Sequence, residues 1–95
     1  MKNNMIVDKI TQTCNACPSQ WEGSLKDGRM FYARYRWGQL TIELSKEPTN
    51  DIYMAMGEYG QLIYDGQLGY EFDGVLCQSE LVEKMQDCGF FFNTL

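Results

Sequence analysis

The chain has 95 residues, of which 44% are hydrophobic and 22% charged, and these proportions exclude an intrinsically disordered protein. Histidine is absent, which excludes an active site or metal centre that depends on it. The net charge of −5 argues against a general nucleic-acid binder and predicts no direct contact with nucleic acid.

We expect one domain over residues 1–95 with one modest hydrophobic core. No apolar run approaches the roughly 20 residues of a membrane span, and the first residues lack the apolar stretch of a secretory signal. The sequence therefore predicts a cytoplasmic protein without a membrane partner.

The first predicted element is a short helix over residues 5–13, which Asn4 would cap. Ile6, Ile10 and Cys14 would lie on one face of this helix, because they are spaced four residues apart.

A three-stranded antiparallel meander follows, with strands over residues 20–25, 30–37 and 40–45. The first turn contains Asp27-Gly28, a pair that supplies the positive φ of hairpin turns, and the second is Gly38-Gln39. In the third strand apolar and polar residues alternate, which predicts one buried and one solvent-facing side.

The next part contains two short apolar segments, 52–56 and 62–64, around scattered glycines. Asp65-Gly66 and Asp73-Gly74 are predicted turns, with a further strand over 67–72 between them.

The last predicted helix begins at Ser79 as its cap and stops at Gly89. Its apolar stripe comprises Leu81, Val82, Met85 and Cys88, and the three phenylalanines that follow should pack against the sheet. The predicted fold class is α+β, an antiparallel sheet of four to six strands with one or two helices packed on it.

Charge is divided unequally along the chain. Residues 1–46 carry a net charge of +3, whereas residues 47–95 carry −8.

The acidic half allows two interpretations. The first is an ordinary soluble surface, because many acidic surfaces serve only solubility. The alternative is a negative, tyrosine-rich surface that binds a basic surface of a partner protein, since complementary charges select partners and tyrosine is enriched in interfaces. The predicted partner-binding residues are Asp51, Glu58, Tyr59, Asp65 and Glu71.

A second cluster follows from the period of two in the central strand, which places Tyr32, Arg34 and Arg36 on one face. Cross-strand ion pairs with Glu22 and Glu43 are the favoured interpretation. The alternative is a site for an anionic, nucleotide-like ligand, because guanidinium groups beside aromatic rings suit phosphates and bases. Its predicted residues are Trp21, Tyr32, Arg34 and Arg36, and a homodimer could complete the pocket.

The four cysteines allow three interpretations. Cys14 and Cys17 form a C-x-x-C unit that could complete a structural zinc site with Cys77 and Cys88. A redox or disulfide role is the second possibility. Buried or spare thiols are favoured, because the second pair lacks zinc-knuckle spacing and Cys88 lies on an apolar stripe. We therefore predict no metal ligands and no cofactor.

No catalytic motif is present: the serines have no histidine partner, and the nine glycines do not form a phosphate-binding loop. We therefore expect a protein that is not an enzyme.

The segment CNACPSQWEGSLKDGRMFYARYRWG, residues 14–38, resembles a pattern shared by short phage and bacterial mobile-element proteins. The later FDGV at residues 72–75 and SEL at 79–81 are similar to a recurring arrangement in those proteins. The resemblance carries over no functional residue. It implies a phage-type inhibitor that blocks a host defence complex, as anti-CRISPR proteins do, or another host protein that handles nucleic acid.

Overall fold

The computed structural model describes residues 5–16, 18–70 and 73–92. These contain one sheet, one α-helix and two short 3₁₀ helices. The strands are β1 (Met5–Asn15), β2 (Ser19–Leu25), β3 (Met30–Arg36), β4 (Gln39–Ser45), β5 (Gly60–Gln67) and β6 (Phe90–Phe92). The helix α1 spans Gln78–Asp87, and the 3₁₀ helices span Ile52–Ala55 and Gly57–Tyr59.

The six strands are arranged in the order β5-β4-β3-β2-β1-β6. All neighbours are antiparallel except β1 and β6, which are parallel. The fold is therefore α+β as expected, but the sheet is mixed because the chain returns to the β1 edge after α1.

The predicted meander of β2, β3 and β4 is confirmed. Gly28 has a φ of 97° in the first turn, consistent with the Asp-Gly signal. The second turn is Trp37-Gly38 and not Gly38-Gln39, with φ values of 58° and 73°. Two positive values in a two-residue loop are typical of a type I′ hairpin turn.

The predicted N-terminal helix is wrong, because residues 5–15 form β1. This strand pairs with β2 from Val7 to Asn15 and with β6 from Met5 to Val7. Isoleucine, valine and threonine are frequent in this segment, and β-branched side chains favour a strand once a partner is present.

Two predictions between β4 and α1 are also wrong. Asp65-Gly66 is not a turn but part of β5, which pairs with β4 as far as Gln67. Residues 68–70 and 73–77 are irregular, so in the described part of the predicted strand over 67–72 only Gln67, the last residue of β5, is in a strand. Pairing with β4 outweighs the local turn preference of Asp-Gly.

The final helix and its apolar stripe are confirmed, although Cys77 and not Ser79 is its N-cap. Leu81 and Met85 are fully buried, and Phe90 continues the core at the edge of the sheet. The helix therefore covers one face of the sheet, which we call the covered face. The main buried side chains of the covered face are those of Trp21, Leu25, Phe31, Tyr35, Leu40, Ile42 and Leu44.

The opposite face of the sheet carries polar side chains and is called the open face. Cross-strand registers place Gln20, Arg34 and Thr41 in one row and Glu22, Tyr32 and Glu43 in the next. The 3₁₀ segment reaches this face, since the backbone N–H of Gly57 donates a 2.9 Å hydrogen bond to Oε2 of Glu43.

Candidate functional site

Four of the five predicted partner-binding residues lie in the described part of the chain, and we call them the acidic surface: Asp51, Glu58, Tyr59 and Asp65. All four are exposed. Glu71 lies outside the described residues. The first three belong to the 3₁₀ segment, whereas Asp65 lies five residues into β5, roughly 17 Å from its start. The acidic surface therefore extends along the β5 edge of the sheet.

Local hydrogen bonds position the acidic surface. Asp51 caps the first 3₁₀ helix, because its Oδ1 accepts a 3.0 Å hydrogen bond from the backbone N–H of Tyr53. Ala55 is buried, which anchors this segment, and Asp65 accepts a hydrogen bond from the side-chain amide of Gln39. These contacts hold the carboxylates of Asp51 and Asp65 without forming an ion pair with either.

Large apolar and aromatic side chains are exposed beside these acids. Tyr53 is 68% exposed, Tyr59 59% and Leu62 58%. Met54 and Tyr59 line a shallow groove with Lys46 and Pro48. The acidic surface is therefore bordered by exposed tyrosine, methionine and leucine side chains, of which tyrosine and methionine are enriched in protein interfaces.

No basic side chain forms an ion pair with the acidic surface in the described ranges. The ion pairs found there are Lys26 with Asp8 at 3.1 Å and Arg29 with Asp27 at 2.8 Å. Both lie near the turn between β2 and β3, so the charge of the acidic surface is available to a partner.

The second site is a shallow pocket on the open face near the turn between β3 and β4, which we call the basic pocket. It is lined by Arg34, Arg36, Trp37, Gln39 and Thr41. The two arginines come from β3, and Gln39 and Thr41 are their cross-strand neighbours on β4. The period of two in β3 therefore predicted the arginine face correctly.

The predicted ion pairs of these arginines with Glu22 and Glu43 are wrong. Both glutamates lie opposite Tyr32 in the register, one row away from Arg34. Within the described residues neither arginine has a carboxylate within ion-pair distance. The Nε of Arg34 is buried and has no hydrogen-bond acceptor.

Trp21 does not belong to this site. It pairs in register with Ala33, so its side chain lies on the covered face, where it is fully buried. Its indole N–H donates a 3.1 Å hydrogen bond to Oε1 of Gln78. Trp21 is therefore a core residue that links β2 to α1.

Tyr32 lies next to the basic pocket but does not line it. Burial raises the pKa of Tyr32; Arg34 opposes this rise, and Glu22 and Glu43 add to it. Its hydroxyl accepts a 2.7 Å hydrogen bond from the side chain of Gln20. Tyr32 is therefore a neutral phenol at neutral pH, and its hydroxyl is already engaged.

Sequence analysis did not identify three residues of the basic pocket, Trp37, Gln39 and Thr41, of which Trp37 is the aromatic one. Continued alternation along β3 would place its side chain on the covered face with Phe31 and Tyr35, but it is 56% exposed. The left-handed backbone of Trp37 breaks the alternation at the hairpin turn. The guanidinium carbon of Arg36 lies 4.9 Å from the centre of the indole ring, within the range of a cation–π interaction. The Trp-Gly pair between two strands was the available signal for this turn.

The described cysteines do not converge. Cys14 pairs in register with Gln20 on the open face, whereas Cys88 packs against the core on the covered face. Cys77 is exposed and donates to Glu80 at 3.0 Å. Cys17 lies outside the described residues. The sheet between Cys14 and Cys88 disfavours a single four-thiolate site.

Within residues 5–16, 18–70 and 73–92, no three metal-ligating side chains are grouped closely enough to hold a metal ion. The same ranges contain no helix that is long and apolar enough to span a membrane. Comparisons with protein families, curated proteins and solved structures find no match to this chain.

Proposed function

We propose that this protein is a non-catalytic binding protein that attaches to a basic surface of a partner protein through its acidic surface. The observation that carries the proposal is the exposure of Asp51, Glu58 and Asp65, without ion pairs in the described residues, beside exposed Tyr53 and Tyr59.

The two kinds of residue would contribute differently to binding. The carboxylates would steer a basic partner toward the surface and exclude acidic competitors. Tyrosine rings would supply apolar contact area with few rotatable bonds, so that little conformational entropy is lost on binding. Binding should weaken with salt, because charges on an exposed surface are screened over about 10 Å at 0.1 M ionic strength.

We further propose that the partner is a host protein, as the pattern of residues 14–38 would imply. A defence complex or another nucleic-acid-handling protein has a basic surface of the required sign, because it must bind phosphates. Occupation of that surface by an acidic protein would inhibit it by competition.

Affinity purification with paired charge reversals tests the proposal. The tagged protein, its Glu58→Lys/Asp65→Lys variant and a Glu83→Lys/Asp87→Lys control are incubated with host lysate at low and high salt. The control changes net charge equally, on exposed positions of α1. We expect a basic partner to bind the wild type and the control at low salt. High salt should release this partner, and the Glu58→Lys/Asp65→Lys variant should not retain it. Equal retention by all three proteins would contradict the proposal.

A further inference from the structure

We infer that the basic pocket is a second binding site, separate from the acidic surface, and that it binds a mononucleotide by its phosphate and its base. Arg34 and Arg36 would bind the phosphate, and Trp37 would stack against the base. The inference does not rest on the proposed function, although the two sites adjoin, because Gln39 of the pocket donates a hydrogen bond to Asp65 of the acidic surface.

The phosphate side of the pocket is built from four polar side chains in two adjacent pairs. Arg34 and Arg36 project from the same face of β3, roughly 7 Å apart along the strand. Thr41 and Gln39 lie opposite them on β4; Thr41 adds a hydroxyl, and Gln39 adds the amide hydrogen that it does not donate to Asp65. This set of donors matches the oxygens of a phosphate, to which guanidinium groups donate in pairs.

The arginines have unused capacity for hydrogen bonding. No carboxylate of the described residues pairs with either of them, and the Nε of Arg34 is buried without an acceptor. Asp65, the nearest acid on the β5 side, is engaged by the amide of Gln39. An anion in the pocket would therefore meet two guanidinium groups that form no ion pair with the described residues, including Asp65 in the same cross-strand row.

The base side of the pocket is Trp37, which is held in place by the loop after β5. Its φ of 58° is unusual for a bulky side chain. The side chain of Gln67 donates to the Trp37 carbonyl at 3.0 Å, and Leu68 donates to the Gly38 carbonyl at 2.7 Å. Gly38 in turn donates to the carbonyl of Asp73 at 2.7 Å.

These hydrogen bonds hold the backbone of the Trp37-Gly38 turn in its left-handed conformation, which leaves the indole ring exposed. Backbone strain of this kind persists where the surrounding structure over-determines it, and it is frequent at ligand sites. Because the turn backbone is already held, binding at this site would cost no entropy for ordering the turn. Stacking on tryptophan tolerates any base, so the site does not predict a particular nucleotide.

The charge of the whole chain favours a small ligand over a nucleic-acid strand. A nucleic-acid strand would extend beyond the pocket, over the surface of a protein whose residues 47–95 carry a net charge of −8. Repulsion would oppose such a polyanion over about 10 Å at 0.1 M salt. A mononucleotide contacts only the pocket.

Calorimetric titration with adenosine monophosphate tests the inference, with Trp fluorescence as a second readout. Saturable binding with quenching of the exposed Trp37 is expected, at a dissociation constant of about 1 mM or below. Adenosine, which lacks the phosphate, and ribose 5-phosphate, which lacks the base, should each bind about tenfold more weakly or worse.

Single substitutions locate the site. Arg34→Gln, Arg36→Gln and Trp37→Leu should each weaken binding by about tenfold or more. Arg34→Lys should recover part of the loss, because it keeps the charge but not the planar pair of donors. Arg29→Gln is the matched control and should bind like the wild type, since Arg29 is already paired with Asp27 at 2.8 Å. Circular dichroism checks that each variant is folded.

Three results would overturn the inference. The first is no saturable signal with the mononucleotide at millimolar concentration. The second is an affinity that Arg34→Gln and Arg34→Lys both leave unchanged. The third is an oligonucleotide of thymidines that binds more tightly per site than the mononucleotide, because the pocket would then belong to a nucleic-acid interface.

Discussion

The phenol of Tyr35 donates a 2.7 Å hydrogen bond to Oδ2 of Asp73, across 38 residues of chain. Tyr35 is 1% exposed at the end of β3, and Asp73 belongs to the loop that clamps the turn of Trp37 and Gly38. An added Cβ at Gly69 would collide with the same phenol, so the loop lies directly against the ring. This hydrogen bond therefore ties the core to the position of the basic pocket.

The Tyr35 contact predicts a specific alkaline instability. Burial and the hydrogen bond to Asp73 raise the pKa of Tyr35 from 10.0 to about 12. Because the folded pKa lies above the unfolded value, this contribution to stability is complete below pH 10 and is lost as the pH rises toward 12.

Tyr35→Phe removes both the hydrogen bond and this titration. The variant should lose about 1–3 kcal/mol of unfolding free energy near neutral pH. The difference from the wild type should narrow above about pH 10, because only the wild type loses Tyr35 stabilisation there. Urea denaturation of both proteins between pH 7 and about pH 12 measures the difference in unfolding free energy. A difference that stays constant with pH would contradict the raised pKa of Tyr35.

Ser19 predicts a second loss of stability. Its hydroxyl is fully buried, lies 3.0 Å from the carbonyl oxygens of Asn15 and Gly74, and accepts a 3.2 Å hydrogen bond from the backbone N–H of Leu76. Ser19→Ala would leave that N–H unsatisfied, at a cost of about 1–3 kcal/mol. Ser24→Ala is the control, because Ser24 is only half-buried on the open face and water can replace its hydroxyl. Equal denaturation midpoints of the two variants would show that Ser19 does not anchor the 73–77 segment.

The meander could be predicted from the sequence because its signals are local. Alternation in β4 and the Asp27-Gly28 turn depend only on neighbouring residues. The strand β1 could not be predicted in this way, since the spacing of Ile6, Ile10 and Cys14 fits a helix equally well. Its conformation is decided by pairing with β2 and β6, which are distant in sequence.

The same distinction holds for the basic pocket. The common face of Arg34 and Arg36 follows from the period of two in a strand. The exclusion of Trp21 depends on its register with Ala33, and the inclusion of Trp37 depends on a left-handed φ held by the loop after β5. Neither the register nor the clamp is visible in the sequence of one strand.

Gly23 predicts a large steric effect in the centre of the sheet. A Cβ added there would collide with the backbone carbonyl of Lys9 and with the ring of Phe31. Because a backbone atom of β1 must move, Gly23→Ala should cost about 3 kcal/mol or more. At Gly57 no atom lies within 4 Å of an added Cβ, so Gly57→Ala should cost only about 1–2 kcal/mol for its φ of 57°. Thermal unfolding of both variants compares the costs, and equal losses would contradict the close approach of β1.

We expect one substitution of Trp37 to stabilise the protein while it removes a binding group. A left-handed backbone costs a bulky residue about 1–2 kcal/mol, whereas asparagine tolerates it and favours the type I′ turn before glycine. The cation–π contact with Arg36 returns about 0.5–1 kcal/mol at an exposed site. Trp37→Asn should therefore raise the unfolding free energy by up to about 1 kcal/mol. Trp37→Leu should lower it slightly, because leucine loses the contact and keeps the strain. Urea denaturation compares the stabilities of the two variants. An asparagine variant less stable than the leucine variant would show that the turn is not strained at Trp37.

The stability result gains meaning together with the binding test. If Trp37→Asn is the more stable variant and also loses mononucleotide binding, the tryptophan is retained for its exposed ring at the expense of stability.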